Sequence, residues 1–128
     1  MNIGVSGKFG EDTAAEYLRK KGYKIVRRNF SCRSGEIDII AKDGGILSFT
    51  EVKLRKNAAF GEACEFVTPK KQQKIMKAAE FYLLNRQKEL ACIFGGEMQP
   101  RFDVVEIYLP EGMGKKAYVR LIPDAFSL

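Results

Sequence analysis

Apolar positions near the amino terminus recur at helical spacing. Ala14, Ala15 and Leu18 share one face, which predicts a helix from about Ser6 to Lys21, with Gly22 placed to end it as a left-handed cap. Glu11 falls at the centre of that apolar face. Tyr23 to Phe30 reads as a strand, followed by a polar loop, Ser31 to Gly35. Glu36 to Ala41 and Ile46 to Lys53 read as two further strands, and Lys42-Asp43-Gly44-Gly45 between them carries a hairpin signal. A polar loop from Arg55 to about Cys64 leads to Thr68-Pro69, an N-cap followed by proline at the first helical position. That helix extends to about Arg86 and turns Ile75, Ala78, Ala79, Tyr82 and Leu83 inward. Ala91 to Phe94 fits either a strand or a packed loop. Phe102 to Leu109 and Ala117 to Ile122 read as strands joined by a turn around Gly112 and Gly114. The elements predict one α/β domain over residues 1–128, with a mixed sheet flanked by helices in the order α-β-β-β-α-β.

Composition narrows the chemistry. The chain has no histidine, which removes imidazole general bases, Ser-His and Cys-His nucleophiles and the usual His-containing zinc sites. Its three cysteines, Cys32, Cys64 and Cys92, lie too far apart for a zinc knuckle and read as reduced thiols in or near the core. Hydrolytic chemistry would therefore run on carboxylates, lysine and a hard cation such as Mg²⁺ or Mn²⁺. A formal charge of +6 favours a polyanionic partner. The first residues hold no apolar stretch of signal-peptide kind and no run is long enough to span a bilayer, so a cytoplasmic protein with no membrane partner is expected.

Glu51-Val52-Lys53 puts two ionisable side chains on one face of a strand. Such a triplet arises easily by chance, and a solvated charge pair is the plain alternative. Register decides between them. With Gly44-Gly45 as a two-residue turn, Asp38 faces Glu51 and Glu36 faces Lys53, and opposed Cβ atoms stand about 4.5–5.5 Å apart. A three-residue turn from Asp43 would instead set Asp38 opposite Thr50. Two carboxylates so close repel each other unless a cation lies between them.

Gly35-Glu36-Ile37-Asp38, thirteen residues ahead of Glu51-Val52-Lys53, resembles the PD-(D/E)xK nuclease motif, with Ile37 where proline would stand. The spacing from Glu11 to Gly22-Tyr23 and on to Asp38 is similar to that of archaeal Holliday-junction resolvases. Gly10-Glu11, Ala14, Tyr17-Leu18, Gly22-Tyr23, Arg28-Asn29, Gly35 to Asp38, Phe49, Glu51 to Lys53 and Arg101 to Val105 together resemble the YraN family of bacterial proteins. The resemblance implies a restriction-endonuclease-like fold. It also implies that Asp38, Glu51 and the Val52 carbonyl bind a metal, that Lys53 orients water or stabilises charge on phosphate, and that Glu11 supports the metal. It assigns no chemical role to Arg101 or Asp103.

The expected function is a metal-dependent nuclease hydrolysing phosphodiester bonds in DNA, branched or junction DNA included. The alternatives are a non-catalytic nucleic-acid-binding module on the same fold and a protein-interaction domain. Candidate phosphate contacts are Arg28, Arg33, Arg55, Lys56, Lys70, Lys74 and Lys77, with Arg27 beside them, though a merely solvated helix face is the alternative for the three lysines of the second helix. A homodimer is compatible with this reading.

Overall fold

The structure is a computed structural model that describes residues 5–55, 67–109 and 118–127, with side chains from residue 8. Helix α1 (Val5–Lys20) ends as its sequence dictates. Gly22 takes a φ of +94°, and Tyr23 N–H reaches back to the Leu18 carbonyl (2.9 Å) while Gly22 N–H bonds that of Arg19 (3.0 Å). This six-to-one and five-to-two pair satisfies carbonyls the helix leaves open. Strands β1 (Lys24–Cys32), β2 (Gly35–Asp43) and β3 (Ile46–Arg55) follow as an antiparallel meander. The Ser31–Gly35 segment is mostly strand, leaving a short turn at Arg33-Ser34.

The β2–β3 turn is the two-glycine one. Asp43 pairs with Ile46 and Ile39 with Thr50, and Gly44 adopts a φ of +60° that a side chain would strain. Thr68 caps α2 (Pro69–Asn85), its hydroxyl accepting the Lys71 N–H at 3.2 Å. The ambiguous Ala91–Phe94 stretch belongs to a second crossover helix, α3 (Gln87–Phe94), closed by Gly95 at a φ of +67°. Good helix formers at its start and a left-handed glycine at its end outweigh the short apolar run. Then come β4 (Gln99–Tyr108) and β5 (Tyr118–Phe126).

The five strands lie in the order β1-β2-β3-β4-β5, antiparallel except for the parallel pair β3/β4, whose connection carries α2 and α3. Alternation along each strand serves two layers. Val104 packs with Ile75, Ala78, Ala79 and Tyr82 of α2, while the next residue, Val105, packs with Ala14, Ala15 and Leu18 of α1. Tyr82 and Phe102 are core aromatics: Phe49 stacks on Phe102, and Tyr82 meets Phe30 and Phe49 edge-on. Cys32 packs against the α2 layer, but Cys92 lies exposed on α3 rather than in the core. The outer side of a short helix with only Leu90 buried does not require a hidden thiol. Lys56, Cys64, the loop containing them and the turn around Gly112 and Gly114 lie outside the described residues.

Candidate functional site

Beyond the Ile39–Thr50 pair, Asp38 comes next on β2 and Glu51 next on β3. The Asp38 carboxylate accepts the Val52 N–H at 2.8 Å, which aims it at the β3 strand. Glu51 is 4% exposed, and one of its oxygens, Oε2, lies 2.6 Å from the Lys71 ammonium of α2. That contact is an ion pair off hydrogen-bond alignment, so Oε2 has no hydrogen-bond partner among the described residues. Burial, and then the neighbouring Glu51 carboxylate, push the Asp38 carboxyl up to about 8, although the Val52 N–H and Lys71 pull the other way. Burial works against the Lys71 ammonium, but the Glu51, Asp38 and Glu36 carboxylates outweigh it and hold its pKa above the ordinary lysine value. Lys53, two residues along β3 from Glu51, is half-buried and makes no ion pair among the described residues.

Lys71 also lines a cavity of about 690 Å³ between the β1–β2 turn and the first turns of α2. Arg33, Lys70 and Lys74 share that lining, with Glu36 the one carboxylate in it among the described residues. The β2 backbone runs close to α2 here: a Cβ on Gly35 would come within 3.0 Å of the Lys74 carbonyl. Glycine is what permits the approach. Lys77 is exposed further along α2 and does not line the cavity.

Other expected site residues are engaged elsewhere. Glu11 is buried on α1, where its Oε1 accepts Arg28 Nε at 2.9 Å and Asn29 Nδ2 at 2.8 Å. No three acidic or thiol side chains among the described residues converge as a metal cluster, and the Glu11 carboxylate, expected to support the metal directly or through water, is held by Arg28 and Asn29. The guanidinium of Arg28, expected as a phosphate contact, is tied to Glu11 and Asp12, the latter at 2.6 Å. Arg27 pairs with Glu89 at 2.8 Å, and Arg55 with the buried Glu106 at 3.3 Å. Val52 donates its N–H to Asp38, which leaves its carbonyl uncommitted by that bond.

Arg101 and Asp103 form a buried network that sequence reasoning left without a role. Arg101 Nε and Nη2 bind the two Asp103 oxygens at 2.8 and 2.9 Å, and Nη2 also reaches Tyr23 and Asp43. Ser48 and the Asp124 N–H complete the shell around Asp103. These bonds join the residue ahead of β1, the β2–β3 hairpin, β4 and β5, which is an architectural task. The alternation of Arg101 and Asp103 on one strand face was the available signal.

The Asp38–Glu51 pair suits a divalent cation: two adjoining carboxylates, an oxygen without a hydrogen-bond partner among the described residues, and an ammonium already drawn to it. Mg²⁺ usually takes one or two protein carboxylates and fills its remaining positions with water and substrate oxygens.

A helix, three antiparallel strands, a helical crossover and a parallel fourth strand define an α/β protein with a restriction-endonuclease-like fold. More particularly, the chain belongs to the family described as Uncharacterised protein family UPF0102, the YraN family, whose model matches residues 10–107. A UPF0102 protein of Caldicellulosiruptor bescii is 44% identical over 126 residues, covering 98% of this chain and 100% of that protein. One from Clostridium tetani is 47% identical over 122 residues, covering 95% of this chain and 93% of the relative. No helix of the described residues is long and apolar enough to cross a membrane.

Proposed function

We propose that this protein is a metal-dependent nuclease acting on DNA phosphodiesters. The observation that carries the reading is the buried Asp38–Glu51 pair, linked by Lys71 to a cavity lined with Arg33, Lys70 and Lys74. A structural ion pair would need neither the second carboxylate nor the adjoining cationic cavity. Asp38 and Glu51 would hold Mg²⁺ or Mn²⁺, and the Val52 N–H keeps Asp38 in place. The bound cation supplies Lewis acidity and a lowered pKa for water. Lys53 sits on the same strand without an ion partner among the described residues, which suits it to meet charge building on the phosphate. The cationic cavity seats the backbone of the substrate, and phosphate contacts of this kind position without reading sequence.

The test is cleavage of duplex, single-stranded and branched DNA with Mg²⁺ or Mn²⁺. Asp38→Asn should abolish activity. Lys53→Met should lower turnover by about two orders of magnitude or more while leaving metal and DNA binding near wild type, because the lost interaction belongs to the transition state. Wild-type protein that binds DNA yet cleaves no substrate would make this fold a non-catalytic binding module. Cleavage indifferent to both substitutions would place the chemistry elsewhere.

A further inference from the structure

Lys71 occupies two environments at once. Its ammonium rests 2.6 Å from a buried Glu51 oxygen, yet the side chain is 48% exposed and lines the cavity that holds Arg33, Lys70 and Lys74. A lysine ammonium is a point charge on a long flexible stem. Here the stem leaves the first turn of a helix anchored by Thr68, so the charge can move without the backbone moving.

We propose that Lys71 is a tethered counter-ion that exchanges places with the divalent cation. In the metal-free protein it neutralises the Glu51 carboxylate. A cation entering between Asp38 and Glu51 displaces it, and the released ammonium swings into the cavity, where it meets a phosphate of the nucleic-acid backbone. Metal and phosphodiester then bind cooperatively through one side chain. This rests on the proposed metal site at Asp38 and Glu51.

The geometry favours the exchange. Glu51 is almost wholly enclosed, and its Oε2 faces the ammonium with no hydrogen bond among the described residues to hold it otherwise. Two positive charges cannot share that oxygen at contact distance without strong repulsion. With Lys71 displaced, its ammonium joins Arg33, Lys70 and Lys74, against Glu36 as the one carboxylate among the described lining residues. By linkage, whatever factor metal adds to phosphate affinity, phosphate adds to metal affinity.

The experiment is a Mg²⁺ titration followed by NMR at a series of pH values from about 8.5 upward, with affinities compared where they no longer change with pH, because losing Lys71 strengthens the competing proton on Asp38. Alongside it, binding of a phosphorothioate DNA oligonucleotide is measured by anisotropy with and without Mg²⁺. Without oligonucleotide, Lys71→Met should bind Mg²⁺ tighter by a factor on the order of five, since no ammonium must leave. Lys71→Arg, which keeps the charge, should stay close to wild type. The gain in oligonucleotide affinity on adding Mg²⁺ should be smaller in Lys71→Met than in wild type. Unchanged or weakened Mg²⁺ binding in Lys71→Met, or an undiminished gain, overturns the exchange while leaving the metal site standing. Absence of Mg²⁺ binding in wild type, or binding that survives Asp38→Asn, overturns the metal site and the exchange with it.

Discussion

Burial and the adjoining Glu51 carboxylate lift the Asp38 carboxyl from 3.8 to about 8 in the metal-free protein. The folded state therefore binds that proton more tightly than the unfolded chain does. Its contribution to stability is complete below the unfolded value and is lost as pH rises through the folded one. Asp38→Asn keeps an acceptor for the Val52 N–H but cannot ionise. Thermal melts of metal-free protein should show wild type losing stability between about pH 5 and pH 8, with a shallower loss in the variant. Identical slopes would mean that the proton does not reside on this pair. Mg²⁺ should reverse the trend, because a bound cation favours the ionised carboxylates.

At the scale of elements, α2 presents Lys70, Lys71 and Lys74 from its first turns, so its cap governs more than helix stability. The Thr68 hydroxyl satisfies the Lys71 N–H at 3.2 Å, and Pro69 presets the backbone that follows. Thr68→Ala should cost about 1 kcal/mol in urea denaturation, with Thr68→Ser close to neutral. If both variants match wild type, the capping bond carries no weight. The β2–β3 hairpin exerts a comparable control over the carboxylates. One added residue in the Gly44-Gly45 turn would turn the faces of β3 over and carry Glu51 away from α2.

For the whole molecule, a charge of +6 says that a polyanion is attractive without saying where it lies. Among the described residues, Arg27, Arg28, Arg55 and Arg101 are already paired, whereas Arg33, Lys70 and Lys74 gather around the cavity. DNA affinity should fall steeply with salt, and Arg33→Gln or Lys74→Gln should each lower the slope of log affinity against log salt by about 0.9 if one duplex phosphate contact is lost. Arg28→Gln should leave that slope unchanged, because its guanidinium already serves Glu11 and Asp12. A slope that responds to Arg28 and ignores Arg33 and Lys74 would move the DNA path to the α1 face.

Local chemistry was enough to mark the ends of α1, the start of α2 and the hairpin that brings Asp38 level with Glu51. Caps, glycines and strand alternation act over a few residues and need no distant partner. The missing histidine likewise directed attention to carboxylates, lysine and a hard cation without any structure. Contacts across layers were of another kind. Lys71 meeting Glu51, Arg28 closing on Glu11 and Arg101 locking onto Asp43 and Tyr23 link residues between 17 and 78 positions apart. Periodicity could set Glu11 on the buried side of α1, but not show that Arg28 and Asn29 would claim its carboxylate. Which charges neutralise one another depends on how helices sit on the sheet, because an ion pair is fixed by distance in space and not by spacing along the chain. That packing gave the Glu11 carboxylate to Arg28 and Asn29, and put a lysine of α2 beside Asp38 and Glu51.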